Sequence, residues 1–333
     1  MKEIESFTKL SQTQQIYELT EVAYIALIEF GIKVIELKNV SHSFNSTFCV
    51  TDESNKKYSL RVNLNFSRDK SAIAAEHKWL EEINNWKLIY VPQPIETING
   101  QPFAHVYAKN LKFSFYCTLA HWIEGEEIGD EPNDSQLFEL GRILALMHDH
   151  SASLSRSDYS GFPDVDSVFM DMQNYLEKSK LITNDLHLSD LLLKAQKDSA
   201  TAFAQLSKVE SHLLIHADLH MGNAIQGENQ ITIIDFDDAG FGYPSQDLSI
   251  SIFYLRDQPE KEQRLLEGYK SVRELPVGLE STLERLLVAR QLLLLNTLLV
   301  TAVADEIAFI PDYIQKVKYR LQNFSSTGVF TLN

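Results

Sequence analysis

The spacing of apolar residues changes character along the chain, and its first part predicts one helix followed by strands. Residues 12–30 repeat apolar positions about every 3.6 residues, which predicts an amphipathic helix that Gly31 ends. Three runs rich in β-branched and aromatic residues come next, at 33–40, 46–52 and 57–63. Polar turns separate these runs, so they predict an antiparallel meander.

Helical spacing dominates the rest of the chain. After a helix at 71–83 and strands at 95–97 and 112–122, the pattern predicts helices at 135–150, 165–181, 189–206, 244–255, 261–271, 279–303 and 312–323. Residues 216–236 interrupt this series, with two short apolar segments around a polar loop. The last ten or so residues show no pattern, which predicts a frayed end.

These elements predict an α+β fold of two lobes. We expect a small strand-rich lobe at 1–120, a hinge connector at 121–125 and a large helical lobe at 126–333. The length of 333 residues fits two such parts, and a hydrophobic content of 44% is typical of a globular protein.

Charge and composition exclude several classes of protein. The chain has 30 basic and 46 acidic residues, and a net charge of −16 argues against a nucleic-acid partner and against a polybasic membrane contact. Arg290 is one of the polar residues that interrupt the longest apolar stretch, which therefore predicts a buried helix and no membrane partner. The N-terminus carries no secretory signal and Cys49 and Cys117 predict buried thiols, so we expect a cytoplasmic protein.

The chemistry-bearing residues cluster around the polar loop of residues 216–236. Asp218 follows an apolar strand, Asn223 comes five positions later, and Asp235 ends a second strand seventeen positions after Asp218. Phosphoryl transfer needs a carboxylate near the attacking hydroxyl and oxygen ligands for Mg²⁺. Protein kinases meet both needs with an Asp, an Asn at plus five and a later Asp that ends a strand.

On these residues the chain resembles the aminoglycoside phosphotransferase and choline kinase-like family, which shares the protein-kinase fold. Within that family it looks most like the bacterial stress-response kinase branch. His216 and Asp218 stand where the family has His-Gly-Asp, with Ala at the middle position. The resemblance implies ATP and Mg²⁺ as cofactors, Asp218 as the catalytic base, and Asn223 and Asp235 as metal ligands. Asp247, in a Pro-x-x-Asp-Leu stretch, and His216 are expected to support the catalytic loop.

The same resemblance implies a nucleotide site in the small lobe. Arg61 stands on the third strand where family members usually carry Lys, and a guanidinium can grip phosphate through two parallel bonds. Glu76, in the following helix, is the expected ion-pair partner of Arg61. Ser43 lies in the glycine-free loop expected above the phosphates, and Trp122 and Ile123 belong to the connector expected to meet adenine.

The sequence leaves the acceptor and three rival functions open. The expected partner is a small-molecule hydroxyl of the aminoglycoside, amino alcohol or amino acid type, with a protein Ser/Thr kinase as an alternative. A second rival is a catalytically idle nucleotide-binding regulator. A third uses His216, Asp218 and His220 as the zinc ligands of a hydrolase, because alternate residues of a strand share a face.

Overall fold

The computed structural model describes residues 7, 9–43, 45–64, 68–301 and 304–333, which form two compact units. The first unit comprises the described residues of Met1–Glu124 together with Tyr159–Gly161. The second comprises Gly125–Asp158 and the described residues of Phe162–Asn333. The strands of the first unit and the helices of the second confirm the predicted α+β fold class.

The described part of the first unit is an antiparallel sheet of six strands with helices α1 (Gln12–Glu29) and α2 (Lys70–Trp86). The strands are β1 (Val34–His42), β2 (Asn45–Asp52), β3 (Lys57–Asn63), β4 (Pro94–Ile95), β5 (Ala104–Ala108) and β6 (Phe113–His121). Their order is β1-β2-β3-β6-β4, and β5 pairs with β6. The predicted meander is therefore confirmed, while β5 was missed because its alternation covers five residues.

Local sequence signals explain the boundaries of both helices in this unit. Ser11 caps α1 and exchanges hydrogen bonds with Gln14, and Gly31 adopts a left-handed φ of 70° just after the helix. The Asp69 carboxylate accepts the backbone N–H groups of Ser71 and Ala72 and so begins α2. Helix α2 therefore starts at a fixed point close in sequence to β3, which carries Arg61.

The second unit is mainly helical. Its helices are α3 (Asp134–Ala152), α4 (Lys180–Thr183), α5 (Leu186–Val209), α6 (Pro244–Phe253), α7 (Pro259–Lys270), α8 (Leu279–Leu298) and α9 (Ala304–Thr327). Short strands β7 (Glu126–Glu127), β9 (Ala224–Gln226) and β10 (Ile231–Ile233) form one small sheet, and β8 (Leu213–Ile215) pairs with β11 (Gly240–Gly242). Gly125 precedes β7 with φ 145°, and an added Cβ there would lie 2.4 Å from the Gln226 carbonyl oxygen.

Helices α3 and α7 cross in backbone contact. A Cβ added to Gly141 would lie 1.9 Å from the Leu265 carbonyl oxygen, and one added to Gly268 would lie 1.9 Å from that of Phe138. Because neither position has room for a methyl group, each helix places a glycine against the other helix. This crossing brings the C-terminal half of α3 beside Tyr269 of α7.

Two predictions for the second unit are wrong. Residues 165–181 form turns that lead into α4, because Met170 takes a left-handed φ of 53° and Asn296 of α8 binds the backbone. The Asn296 side chain accepts the Tyr175 N–H at 2.7 Å and donates to the Gln173 carbonyl at 2.9 Å. The backbone of this segment therefore bonds to the Asn296 side chain, and it does not form the helix that the apolar spacing alone favours.

The C-terminal end is also ordered, where the sequence predicted fraying. Phe330 is fully buried and stacks on Phe253 with ring centroids 5.6 Å apart. Its carbonyl accepts the Arg256 Nε–H at 2.8 Å, and its N–H donates to Glu284 at 2.6 Å. The buried ring of Phe330, together with hydrogen bonds between its backbone and two charged side chains, therefore holds the C-terminal tail in place.

Candidate active site

The loop that carries Asp218 is shaped by Asp247 of α6. The Asp247 carboxylate accepts the N–H of Ala217 at 2.8 Å and that of His216 at 3.2 Å. Ala217 has φ 62°, a left-handed backbone that costs an L-residue roughly 1–2 kcal/mol. The two hydrogen bonds from α6 hold this strained residue directly before Asp218.

Asp247 belongs to a fully buried network. Neither Asp247 nor His148 of α3 exposes any surface, and His148 Nε2 lies 3.1 Å from Asp247 Oδ2. The other ring nitrogen of His148 lies 2.8 Å from the Tyr269 hydroxyl on α7. Each polar atom of the network has a partner, as burial requires, so α3, α6 and α7 together position the loop.

His216 is held as one neutral tautomer. Its Nε2 lies 3.1 Å from the Ile234 carbonyl and must donate, while its Nδ1 accepts the Asp218 N–H at 3.2 Å. Burial is the main cause that lowers the pKa of His216 below its ordinary value. Since both ring nitrogens are engaged within the loop, the interpretation of His216 as a zinc ligand is not supported.

Asp218 and Asn223 are in direct contact. The Asn223 side-chain N–H groups donate to the Asp218 backbone carbonyl at 2.9 Å and to Asp218 Oδ2 at 3.1 Å. A short 3₁₀ turn at Met221–Asn223 makes this approach possible. Because the amide nitrogen of Asn223 is fixed on Asp218, its amide oxygen is left to face another ligand.

Asp235 follows β10 and is tied to the same loop through the backbone. The preceding residue, Ile234, donates its N–H to the Asn223 carbonyl at 3.0 Å. Asp235 has a left-handed φ of 64° and an exposed side chain. A non-glycine residue in this conformation is uncommon and is concentrated at functional sites.

Carboxylates crowd this end of β10. Desolvation of the carboxyl group and the negative charges of Asp218, Asp235 and Asp237 raise the pKa of Asp238, although its side chain is exposed. Carboxylate and amide oxygens are the ligands that Mg²⁺ prefers, and a dication would offset this negative charge. The donor set of Asn223 and Asp235 therefore fits a hard divalent metal ion.

Arg290 of α8 is a site residue that the sequence reasoning noted only as an interruption of an apolar stretch. It is buried, with 6% of its surface exposed, and its Nη2 donates to Asp218 Oδ1 and to the Tyr254 hydroxyl, the latter at 2.7 Å. Burial works against the charge, but contact with Asp218 and Tyr254 raises the pKa of Arg290 above its ordinary value. A charged residue within the longest apolar stretch of the chain was the signal that could have identified it.

His220 lies beside this ion pair. Its Nδ1 accepts the Gly222 N–H at 3.0 Å, its Nε2 lies 3.8 Å from Asp218 Oδ2, and its ring packs on Tyr254 with centroids 4.4 Å apart. Burial lowers the pKa of His220. His220 therefore borders Asp218 without forming a hydrogen bond to it.

The predicted nucleotide-binding residues lie in the first unit. Arg61 Nη2 lies 2.6 Å from Glu76 Oε1, so the expected ion pair is present, and Arg68 Nη2 binds the other Glu76 oxygen at 2.8 Å. The sequence reasoning missed Arg68. The Glu76 carboxylate therefore lies between two guanidinium groups, those of Arg61 and Arg68. Ser43 is exposed in the turn between β1 and β2, and its N–H donates to the Asn45 carbonyl at 2.9 Å.

The connector residues Trp122 and Ile123 end this unit and are partly exposed. The Trp122 N–H donates to the Lys57 carbonyl at 3.2 Å, which continues the pairing of β3 with β6 by one residue. Among the described residues, no helix combines the length and apolar character needed to cross a bilayer.

With this geometry in place, comparison with known proteins identifies the family. The model of the phosphotransferase enzyme family matches residues 36–280, which include the predicted site residues of both units. The chain belongs to this family. It is a phosphotransferase, as the spacing of Asp218, Asn223 and Asp235 in the sequence predicted.

Individual relatives act on small molecules. Amicoumacin kinase of Bacillus subtilis (strain 168) is 25% identical over 244 residues, 72% of this chain and 69% of that protein. A solved amicoumacin kinase in complex with AMP-PNP and Ca²⁺ is 20% identical with a TM-score of 0.73, covering 93% of this chain and 96% of its own. A microcompartment-associated aminopropanol kinase has a TM-score of 0.68 at 23% identity, with coverage of 94% and 100%.

Proposed function

We propose that this phosphotransferase moves the γ-phosphoryl group of ATP, with Mg²⁺, to a hydroxyl group of an amine-bearing small molecule. The observation that carries the proposal is the contact between Asp218 and Asn223, with Asp235 tied to Asn223 through Ile234. This arrangement supplies a carboxylate for the hydroxyl and oxygen ligands for a metal from one loop. A cytoplasmic location, where ATP is available, fits this activity.

Asp218 is the residue we assign to the acceptor hydroxyl. As the acceptor oxygen forms its bond to the γ-phosphorus, the bond from that phosphorus to the bridging oxygen of ADP breaks and the hydroxyl proton passes to Asp218. Each oxygen of the carboxylate accepts a bond from Arg290 or Asn223 and keeps a further lone pair for the hydroxyl. His216 and Asp247 act through the loop backbone.

Asn223 and Asp235 are the residues we assign to the metal. The amide nitrogen of Asn223 is held by Asp218, which leaves its amide oxygen as the metal donor, and Asp235 has an exposed side chain. When bound, Mg²⁺ supplies charge neutralisation for the phosphate oxygens. The chain contributes the two oxygen donors and the fixed backbone between them.

The first unit supplies the nucleotide contacts in this proposal. Arg61 and Arg68 both bind Glu76, which holds the two guanidinium groups near each other, and a guanidinium can bind phosphate oxygens through two parallel bonds. Ser43 is assigned to the phosphate loop, and Trp122 and Ile123 are assigned to adenine. These assignments follow the family pattern.

The acceptor class comes from the relatives and from charge. Amicoumacin and aminopropanol kinases are named for amine-bearing compounds, and solved spectinomycin phosphotransferase and choline kinase share the fold with TM-scores of 0.62 and 0.63. A chain with a net charge of −16 attracts cations at long range. A protein Ser/Thr acceptor and an idle regulator have no specific structural observation in their favour.

The test is an ADP-release screen with aminopropanol, amicoumacin, spectinomycin, choline and a generic protein substrate. We expect turnover with an amine-bearing small molecule that stops when the metal is chelated. Asp218→Asn should lower kcat by about 10²–10⁴-fold with little change in ATP affinity. Asp235→Ala should abolish turnover and weaken metal-dependent nucleotide binding, which calorimetry measures separately.

Asp190→Asn is the matched control, because it removes an exposed carboxylate of α5 in the same unit. It should leave both turnover and binding unchanged. Full activity in excess chelator, or normal kcat in Asp218→Asn, would contradict the proposal.

A further inference from the structure

Two side chains from different elements hold the Asp218 carboxylate by hydrogen bonds. Asn223, five residues later in the same loop, donates to Oδ2 at 3.1 Å. Arg290, 72 residues away on α8, donates to Oδ1 through Nη2. Asp218 is therefore fixed at both oxygens before any substrate binds.

Arg290 is itself held in place. The same Nη2 donates to the Tyr254 hydroxyl at 2.7 Å, and the guanidinium carbon lies 5.5 Å from the centre of the Tyr254 ring. Tyr254 directly follows α6, the helix whose Asp247 shapes the loop from the other side. The guanidinium is thus fixed by the element that also fixes the loop backbone.

The surroundings of Arg290 make this placement costly without its partners. Its neighbours on α8, Ala289, Leu292 and Leu293, are buried apolar residues. A buried guanidinium is tolerated when it is paired and hydrogen-bonded. The energetic cost of burying Arg290 is therefore offset by its contact with Asp218, the residue that we assign to catalysis.

A second arginine in the same unit, Arg256, is partly buried and shows what a purely structural ion pair looks like. Arg256 binds Glu262 and Glu284 and donates to the Phe330 carbonyl, so it fastens the C-terminal tail. It makes no hydrogen bond to the catalytic loop. Arg256 is therefore a control for the loss of a partly buried, ion-paired guanidinium in the same unit.

We infer that Arg290 is a positioning residue for phosphoryl transfer, which holds the Asp218 carboxylate in the orientation that meets the acceptor hydroxyl. The inference rests on the proposed role of Asp218. A small displacement of a catalytic group lowers the rate of the chemical step more than it weakens nucleotide binding. Arg290 should therefore affect kcat, while the ATP contacts stay as they are.

The experiment compares Arg290→Met, Arg290→Lys, Tyr254→Phe and Arg256→Met. ADP release is measured with aminopropanol as the acceptor probe and, without it, with water. Arg290→Met should lower kcat about 10–100-fold while KM for ATP stays within about threefold. Arg290→Lys should recover part of kcat because the positive charge remains, and Tyr254→Phe should show a smaller loss.

Arg256→Met should lower thermal stability and leave the kcat of the folded protein unchanged. If Arg290→Met keeps wild-type kcat while Asp218→Asn loses it, the inference is wrong and the proposed function stands. If Asp218→Asn also keeps wild-type kcat, the proposed function fails first. Should Arg290→Met not fold, wild-type kcat in both Arg290→Lys and Tyr254→Phe would overturn the inference.

Discussion

At the scale of single residues, the hydrogen bonds of His216 require the neutral ring. Protonation of Nδ1 would set it against the Asp218 N–H that it now accepts, and burial already lowers the pKa of His216 below 6.5. Below about pH 6.5 the unfolded chain binds a proton that the folded loop rejects, so stability falls by up to about 1.4 kcal/mol per pH unit. Above that pH the contribution is fully present.

Urea unfolding across this pH range checks the prediction. His216→Gln should lower the free energy of unfolding at neutral pH and make its decline toward acid shallower than in the wild type. His187→Gln, which changes an exposed histidine of α5, should leave the slope as it is. Equal slopes for wild type and His216→Gln would contradict this account.

Arg61 offers a second test at this scale. It shares Glu76 with Arg68, so Arg61→Ala should leave the carboxylate paired and the fold intact while it removes one proposed phosphate contact. We expect ATP affinity to fall and Arg61→Lys to retain part of it, because the charge survives and the planar fork does not. Unchanged affinity by calorimetry in Arg61→Ala would place the phosphates elsewhere.

Among the elements, one carboxylate serves the beginnings of two helices. Glu210, which ends α5, accepts the N–H of Ser245 at 3.0 Å in the first turn of α6 and that of Gly278 at 2.9 Å before α8. Its charge lies at the positive end of both helix dipoles. These helices carry Asp247 and Arg290, so Glu210 links the two supports of Asp218.

Glu210→Gln should lower the free energy of unfolding by about 1–3 kcal/mol, because charge-assisted bonds at two helix starts are weakened. Chemical denaturation measures this loss. Glu280→Gln, an exposed acid in the first turn of α8, is the control and should cost less than about 1 kcal/mol. Equal losses in the two variants would show that Glu210 acts only through the dipole of α8.

Element boundaries show where sequence reasoning succeeds and where it stops. Strands β2 and β3 alternate buried and less buried residues, and short turns join β1, β2 and β3, so local pattern was sufficient to predict them. Residues 165–181 have helical spacing, yet a side chain 121 positions away, Asn296, decides their backbone. The roles of Asn296 and Arg290 depend on partners that no local pattern reveals.

For the molecule as a whole, motif spacing predicted the fold class and the family. Asn223 contacts Asp218 within one loop, and the β9–β10 hairpin bonds Ile234, the residue before Asp235, to Asn223, so these contacts follow from local chain geometry. The sequence reasoning did not assign four residues that support the site, namely Arg68, Arg290, Glu210 and His148. Their contacts join separate elements, and only the packed structure brings them together.

The buried network at Asp247 has a consequence for the order of events during folding. Its bonds join positions 30, 31 and 99 residues apart, so the left-handed Ala217 has no local partner to hold it in the unfolded chain. Closing such long loops is slow compared with helix formation. On dilution from denaturant, the helical signal in far-ultraviolet circular dichroism should therefore recover before the ADP-release activity does. The refolding chain should pass through a stage that has its helices but does not yet phosphorylate an acceptor.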